Sequence, residues 1–287
     1  MSKIIISCDT TIALSKEKII EYGLYVISLN AIVDGVEFHD TVDIDANKLC
    51  VMMKNGARVT TSTPTPNEIY NHFDNIIAKE NPDYIIHFTI SSKLSSMFNL
   101  FTRLCEEKYG EKVIVVDSLS ICRWMLNQVL YAKRLAEDGN DVKTILQRVK
   151  EDLNDTEDCY FIPGSLVYLR RGGRISAATA SLGNLIGVVP ILTFRHGVVG
   201  KSGITRTVRK AIISNLMTWK KEYPDIEKNY TILLLSTDKS CEGKLAKVSE
   251  LVDEVFPSIT KEESFMSLNV TAHAGPDSIG VGLLKKI

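Results

Sequence analysis

Two hydroxyl-rich stretches in this sequence have the composition of an anion site. Thr60-Thr61-Ser62-Thr63-Pro64-Thr65-Pro66 crowds hydroxyls just ahead of a helix start. Free backbone N–H groups and the helix dipole favour an anion at such a place. Ser91-Ser92-Lys93-Leu94-Ser95-Ser96 follows an apolar strand and leads into the next helix. Ligands of open parallel sheets lie beyond the carboxyl ends of the strands, so Ser91 or Ser92 is placed to face one. Taken singly, each stretch is better read as a capped helix start. Taken together, they are strand-to-helix corners whose helix N-termini can converge on one anion. Neither has the glycine spacing of a dinucleotide or phosphate loop, so a small anionic group without a nucleotide is the better fit.

Three further features carry possible chemistry. In His273-Ala274-Gly275-Pro276 the Gly-Pro pair forces an ordered turn, and the imidazole can donate to a carboxylate or be purely structural. Arg170-Arg171-Gly172-Gly173-Arg174-Ile175-Ser176 sets three arginines around a glycine pair. That pattern suits phosphate or carboxylate recognition, docking of an acidic or phosphorylated partner, or a plain solvated turn. The apolar segment Leu182–Phe194, with Leu185, Ile186, Val188, Val189, Ile191 and Leu192, is either core or the lining of a tunnel.

The elements that must position these residues alternate through the first half. Lys3 to Ser7 reads as a buried strand, Ser15 to Tyr22 as a short helix capped by Ser15, and Leu24 to Val33 as a strand closed by an Asp34-Gly35 hairpin turn. Thr65-Pro66-Asn67-Glu68 is a capping box with proline at the first helical position, and Ile69, Phe73, Ile76 and Ile77 stripe the helix that follows. Tyr84 to Ile90 and Val113 to Val116 read as strands. Leu94 to Cys105, Leu119 to Asp138 and the stripe from Val142 to Val149 read as helices. Such alternation predicts a parallel sheet with helices on its faces. Beyond a soft boundary near Asp158 the character changes. There the reading is a turn at Arg195-His196-Gly197, helices over Arg206 to Lys220 and Lys244 to Val255, and strands over Tyr230 to Ser236 and Phe265 to Thr271. The expected domains are 1–158 and 159–287, both α/β.

Bulk properties narrow the function classes. The chain has 287 residues, and its 34 basic and 35 acidic side chains leave it near neutral. No basic face for sequence-independent nucleic-acid binding is expected. The N-terminal apolar run is too short for a secretory signal, and Leu182–Phe194 is too short to span a bilayer. The expectation is a soluble cytoplasmic protein without stable membrane insertion. Six scattered cysteines without a Cys-x-x-Cys pair read as reduced, mostly buried small hydrophobes rather than a metal cluster.

These motifs together resemble the DegV family. Thr61-Ser62-Thr63-Pro64-Thr65-Pro66 is similar to its Thr-Ser-Gln-Pro-Ser-Pro segment, Ser91-Ser92-Lys93-Leu94-Ser95 to its Ser-Ser-x-Leu-Ser-Gly corner, and Val116-Asp117-Ser118 to its Val-Asp-Ser. Tyr168-Leu169-Arg170-Arg171-Gly172-Gly173-Arg174-Ile175 resembles its Tyr-Leu-Lys-Lys-Gly-Gly-Arg-Ile, and His273-x-Gly275-Pro276 its His-x-Gly-Pro. The resemblance implies a two-domain α/β fold with a long-chain fatty acid held between the domains. It further implies a bacterial binding subunit, needing no cofactor, whose bound carboxylate is phosphorylated by a separate dihydroxyacetone-kinase-like fatty acid kinase subunit. By motif match, Thr61, Ser62 and Ser92 bind the carboxylate and His273 completes that network. Arg170, Arg171, Gly173, Arg174, Arg206 and Gly275 serve the pocket or partner docking. The chain departs from the family pattern at Ser96 and Met97, where the family has Gly-Thr, and at Val189, where it has lysine. Its Lys-x-Arg-Thr-Arg stretch appears here as Ile204-Thr205-Arg206-Thr207-Val208, so two positive charges are absent.

Two rival readings use the same residues. One is a lipid hydrolase with Ser92 and His273, although the corner lacks a Gly-x-Ser-x-Gly elbow. The other is a sensor or binding module for another small amphipathic ligand.

Overall fold

Strands of a parallel sheet are covered on both faces and so read as unbroken apolar runs. The Ile4-Ile5-Ile6 and Val113-Ile114-Val115-Val116 runs meet that requirement. In the computed structural model, which describes residues 2–153, 158–176 and 187–287, the chain divides into two compact units. The first comprises Met1–Asp45, Val59–Asn154 and Ser267–Asn269. The second comprises Ala46–Arg58, Asp155–Met266 and Val270–Ile287.

In the first unit the strands are β1 (Ile4–Asp9), β2 (Tyr25–Ile27), β3 (Asn30–Val33), β4 (Val36–His39), β5 (Val59–Ser62), β6 (Tyr84–Thr89) and β7 (Val113–Asp117). A four-stranded sheet of order β2-β1-β6-β7 is parallel at every pairing, as the alternation predicts. A small antiparallel sheet has the order β4-β3-β5. Met125, Val129 and Ala132 of the Cys122–Glu137 helix share a buried cluster with Ile6, Cys8 and Phe88 of the parallel sheet and with Ile145 and Val149 of the Val142–Leu153 helix. The capping box forms as expected: Glu68 N donates to Thr65 Oγ1 (3.3 Å) and Thr65 N to Glu68 Oε2 (2.6 Å).

The expected strand over Leu24 to Val33 is two strands in two sheets. Leu29 N donates to Thr10 Oγ1 (3.1 Å) and Ser28 Oγ to Asp40 O (2.8 Å), so side chains take over the ladder at the crossing point. The helix expected from Leu119 begins at Cys122. Leu119 has a positive φ of 48°, and its N–H is held by Asp117 Oδ1 at 3.0 Å.

The second unit has one six-stranded mixed sheet. Its strands are β8 (Asp158–Ile162), β9 (Val189–Arg195), β10 (Val198–Thr205), β11 (Tyr230–Ser236), β12 (Lys261–Phe265) and β13 (Ile279–Lys285), in the order β10-β9-β8-β13-β11-β12. Only the β11–β12 pairing is parallel among them. Trp219, Leu216 and Ile212 of the Val208–Glu222 helix share a buried cluster with Leu245, Val248 and Val252 of the Glu242–Val255 helix and with Val281 and Leu283 of β13. Asp158 is buried in β8 and accepts from Arg195 Nε and Trp219 Nε1, both at 2.7 Å, which satisfies an otherwise costly carboxylate.

The strand expected over Phe265 to Thr271 is absent. β12 ends at Phe265, and Leu268–Ala274 is a helix. Met266 N donates to Ser236 O (2.8 Å), which closes the sheet, and Gly275 N donates to Thr271 O (2.8 Å) at the helix end. This backbone pairing overrides the strand preference of Val270 and Thr271. All six cysteines are free and buried, as expected. The segment from Leu182 to Ile186 lies outside the described residues, while Val189 to Phe194 forms most of β9. No helix among the described residues is long and apolar enough to cross a membrane.

Candidate functional site

The carboxyl edge of the parallel sheet builds the first part of the site. β1 ends at Asp9, β6 at Thr89 and β7 at Asp117, with Thr89 in register with Asp117. The Ser91–Ser92 corner projects beyond β6 and is tied from both sides. Asp9 Oδ2 accepts from Ile90 N (2.9 Å), and Asp117 Oδ1 accepts from Ser92 N (3.0 Å). Ser91 is buried; its N–H donates to Ser120 O (3.0 Å), and its Oγ accepts from Lys93 N (3.2 Å). The half-buried Ser92 hydroxyl has no partner among the described residues.

Asp9 is completely buried, and its other oxygen accepts from Thr11 N (2.8 Å). Burial pushes its carboxyl up to about 6 despite those donors. Nearby Asp40 is pushed up to about 7, by burial first and then by the charges of Asp9 and Asp45. Neither residue was singled out from the sequence. The available signal is position: Asp9 closes an apolar strand at the end where ligands collect in parallel sheets.

The Thr60–Pro66 stretch is half strand. Thr61 and Ser62 lie on β5, paired opposite Ala31 and Asn30 of β3, and both are half-buried. Ser62 Oγ donates to Glu37 Oε1 (3.0 Å), an oxygen that also accepts from Asn30 Nδ2 (3.0 Å). The N-terminal turn of the Pro66–Glu80 helix is occupied by the Glu68 carboxylate, which takes both Thr65 N and Thr65 Oγ1 (2.7 Å). That end is therefore already served by an internal anion, and the convergence of two open helix N-termini is not what the first unit presents.

In the second unit, the arginine–glycine motif and the histidine motif come together. Tyr168, Arg170 and Arg171 lie on the Leu166–Gly172 helix, whose N-cap Ser165 accepts from Val167 N at 3.3 Å. Gly173 ends the helix in the left-handed region at φ 69°. Gly172 stands so close to His273 that a Cβ there would lie 2.2 Å from its Nδ1. Gly275, at φ 83°, faces the Tyr168 ring in the same way, with a Cβ falling 2.3 Å from Cδ2. Two glycines thus make room for an imidazole and an aromatic ring, and helix Leu166–Gly172 locks onto the His273–Pro276 turn. Burial lowers the His273 imidazole to about 4, and the charge of Arg174 adds to the effect. His273 is neutral at physiological pH and so carries a single ring N–H to donate. Arg174 turns back on the motif, its guanidinium donating to Gly172 O. Arg170 and Arg171 are exposed, and Arg206 stands exposed just past β10, apart from this cluster in sequence and in sheet position.

A family described as "Uncharacterised protein, DegV family" matches residues 3–286. The chain belongs to the DegV family. A DegV domain-containing protein of Deinococcus radiodurans is 30% identical over 281 residues, 98% of each chain. Among solved structures, a DegV family protein of Thermus thermophilus described by its fatty acid binding is 24% identical with TM-score 0.84, covering 99% of this chain and 100% of that one. A protein of Eubacterium ventriosum described as binding stearic acid is 23% identical with TM-score 0.82, covering 100% and 99%. At these identities the likeness to both structures is one of fold. The DegV fold, with its parallel-sheet unit and its mixed-sheet unit, is the fold expected from the sequence.

Proposed function

We propose that this DegV protein binds a long-chain fatty acid and presents its carboxylate to a separate kinase subunit, itself performing no chemistry. The observation that carries the reading is the neutral His273, seated against Gly172 of the arginine–glycine motif. The fatty acids named for solved DegV relatives support the ligand class. In this reading Thr61 and Ser92 donate hydroxyl hydrogen bonds to the carboxylate, Ser62 does so by giving up its bond to Glu37, and His273 donates its ring N–H. Arg170, Arg171, Arg174 and Arg206 serve docking of the kinase or its phosphate, with Gly173 and Gly275 shaping the motif around them.

The energetics divide between tail and head. Burying about fourteen methylenes contributes roughly 11 kcal/mol at about 0.8 kcal/mol each. Lost freedom on association offsets several of these. A buried carboxylate without donors costs several kcal/mol, so the head group sets orientation rather than affinity. Neutral donors satisfy its oxygens without the tight ion pair that would blunt it as a nucleophile.

Mass spectrometry of lipid extracted from the purified protein tests the ligand, with free long-chain acid near one per chain as the expected result. With ATP and a dihydroxyacetone-kinase-like subunit, hydroxylamine should trap an acyl phosphate, and the Thr61→Ala/Ser92→Ala protein should give at least tenfold less. Lipid-free protein, or a double variant with undiminished retention and transfer, refutes the role. A covalent acyl-serine after incubation with activated esters would mark a hydrolase instead.

A further inference from the structure

Exposed sheet edges invite other chains, and proteins blunt them with charge, bulges or brevity. This protein does so at several edges. β2 has three residues, β12 carries Lys261, Glu262 and Glu263, and β10 is bulged between Lys201 and Gly203. β7 carries none of these devices. It is the Val-Ile-Val-Val-Asp edge of the parallel sheet, and no strand pairs with its outer side among the described residues. Ser118 N donates to Thr89 O (3.2 Å) and so faces β6. Strand alternation then turns the N–H and C=O groups of Val113, Val115 and Asp117 outward.

A groove of about 890 Å³ runs along that open side. Thr102 and Glu106 of the Met97–Tyr109 helix form one wall, and Val142 and Leu146 of the next-but-one helix form the other. Thr102 Oγ1 is buried there with no hydrogen-bond partner among the described residues. The rim is acidic: Glu106, Glu111 and Asp141 stand against Lys143. Glu106 and Glu111 have no ion-pair partner among the described residues. A second copy of this chain would bring the same acidic rim to the junction. A strand with basic side chains would neutralise them.

We propose that β7 is a docking strand for an extended segment of a partner protein, one that alternates apolar and basic residues and adds to the sheet by main-chain pairing. Its apolar side chains lie on the Val142–Leu146 wall, and its basic ones meet Glu106 and Glu111. Proline at 115 removes an outward N–H and leaves the pairing with β6 intact.

The test uses the whole protein and two fluorescent eight-residue probes, one alternating lysine with valine and one alternating glutamate with valine. The basic probe should bind at micromolar concentration and the acidic one at least tenfold more weakly. Val115→Pro and Glu106→Lys/Glu111→Lys should each weaken the basic probe at least tenfold, with melting temperature held within a few degrees. Where Val115→Pro fails to fold, the charge-reversal variant decides. Absence of basic-probe binding, equal binding of both probes, or unchanged affinity in the charge-reversal variant overturns the proposal. So does a dimer in sedimentation that Val115→Pro dissolves, because the occupant would then be a second copy.

Discussion

Replacing Gly172 with alanine should dislodge His273 without reaching any other proposed ligand group. The new Cβ would lie 2.2 Å from Nδ1 and 2.9 Å from Cε1 of the imidazole. Ordinary contact between such atoms is about 3.5–4.0 Å, so ring or helix must retreat by more than about 1 Å. Overpacking of that kind costs roughly 1–3 kcal/mol. Position 172 has no positive φ, so alanine's better helix propensity offsets up to about 1 kcal/mol. A net loss of about 1–2 kcal/mol is expected. Gly173 is the control. Its φ of +69° makes alanine costly by roughly 1–2 kcal/mol, yet nothing lies within 4 Å of the added Cβ. Similar destabilisation is expected from both changes, while only Gly172→Ala should free the imidazole. An NMR titration should then find His273 rising from about 4 towards the ordinary 6.5, with fatty-acid retention falling. Adding His273→Ala to Gly172→Ala should recover the lost stability, which a double-mutant cycle measures. An unmoved His273 titration with full retention in Gly172→Ala refutes this account of the glycine.

Two further predictions concern stability. His72 Nε2 and His87 Nδ1 lie 2.7 and 3.0 Å from Ser7 Oγ, and burial lowers His72 to about 4 and His87 well below its ordinary value. The unfolded state takes up these protons first, so their contribution is complete above pH 6.5 and is lost as pH falls towards 4; for His72 this is about 3 kcal/mol. Asp9 and Asp40, raised to about 6 and about 7, run the other way and favour the fold as pH drops, so the readout is the difference between the parent and His72→Gln in urea melts from pH 7 to 4. Parallel pH profiles would refute it. Thr65→Ala removes the capping box and should cost about 1 kcal/mol, or roughly 2–4 °C in melting temperature. An unchanged melting curve counts against the cap.

The parts of this fold legible in the sequence are those whose local and tertiary preferences agree. The Lys3–Ser7 and Val113–Val116 runs are strands under any packing that covers both faces, and Thr65 with Glu68 fixes a helix start by itself. β13 was illegible because Gly280 and Gly282 weaken a strand signal. Gly280 is there for space: a Cβ on it would lie 2.6 Å from Tyr160 O in the neighbouring strand. The assignment of Ala46–Arg58 to the second unit left no local mark either. It rests on contacts such as Lys239 N to Asn47 Oδ1 (2.9 Å), between residues far apart in the chain. For the site, motif order pointed to Ser92 and His273, while the carboxylates that frame Ser92 emerge only from the register of β1, β6 and β7.

That framing bears on how the corner treats an anion. The amides of Ile90 and Ser92, which would face a ligand in an open anion nest, are held by Asp9 and Asp117. The Ser92 hydroxyl is left as the local donor, with two carboxylates close behind it. Above pH 6 the charge on Asp9 opposes a bound carboxylate, so the corner by itself holds one weakly. A phosphate-binding loop would be built the other way, with its amides free. In the proposed role this weakness is functional: the acyl chain supplies the retention, and a head group held by hydroxyls and a neutral imidazole keeps its negative charge available to an incoming phosphoryl group.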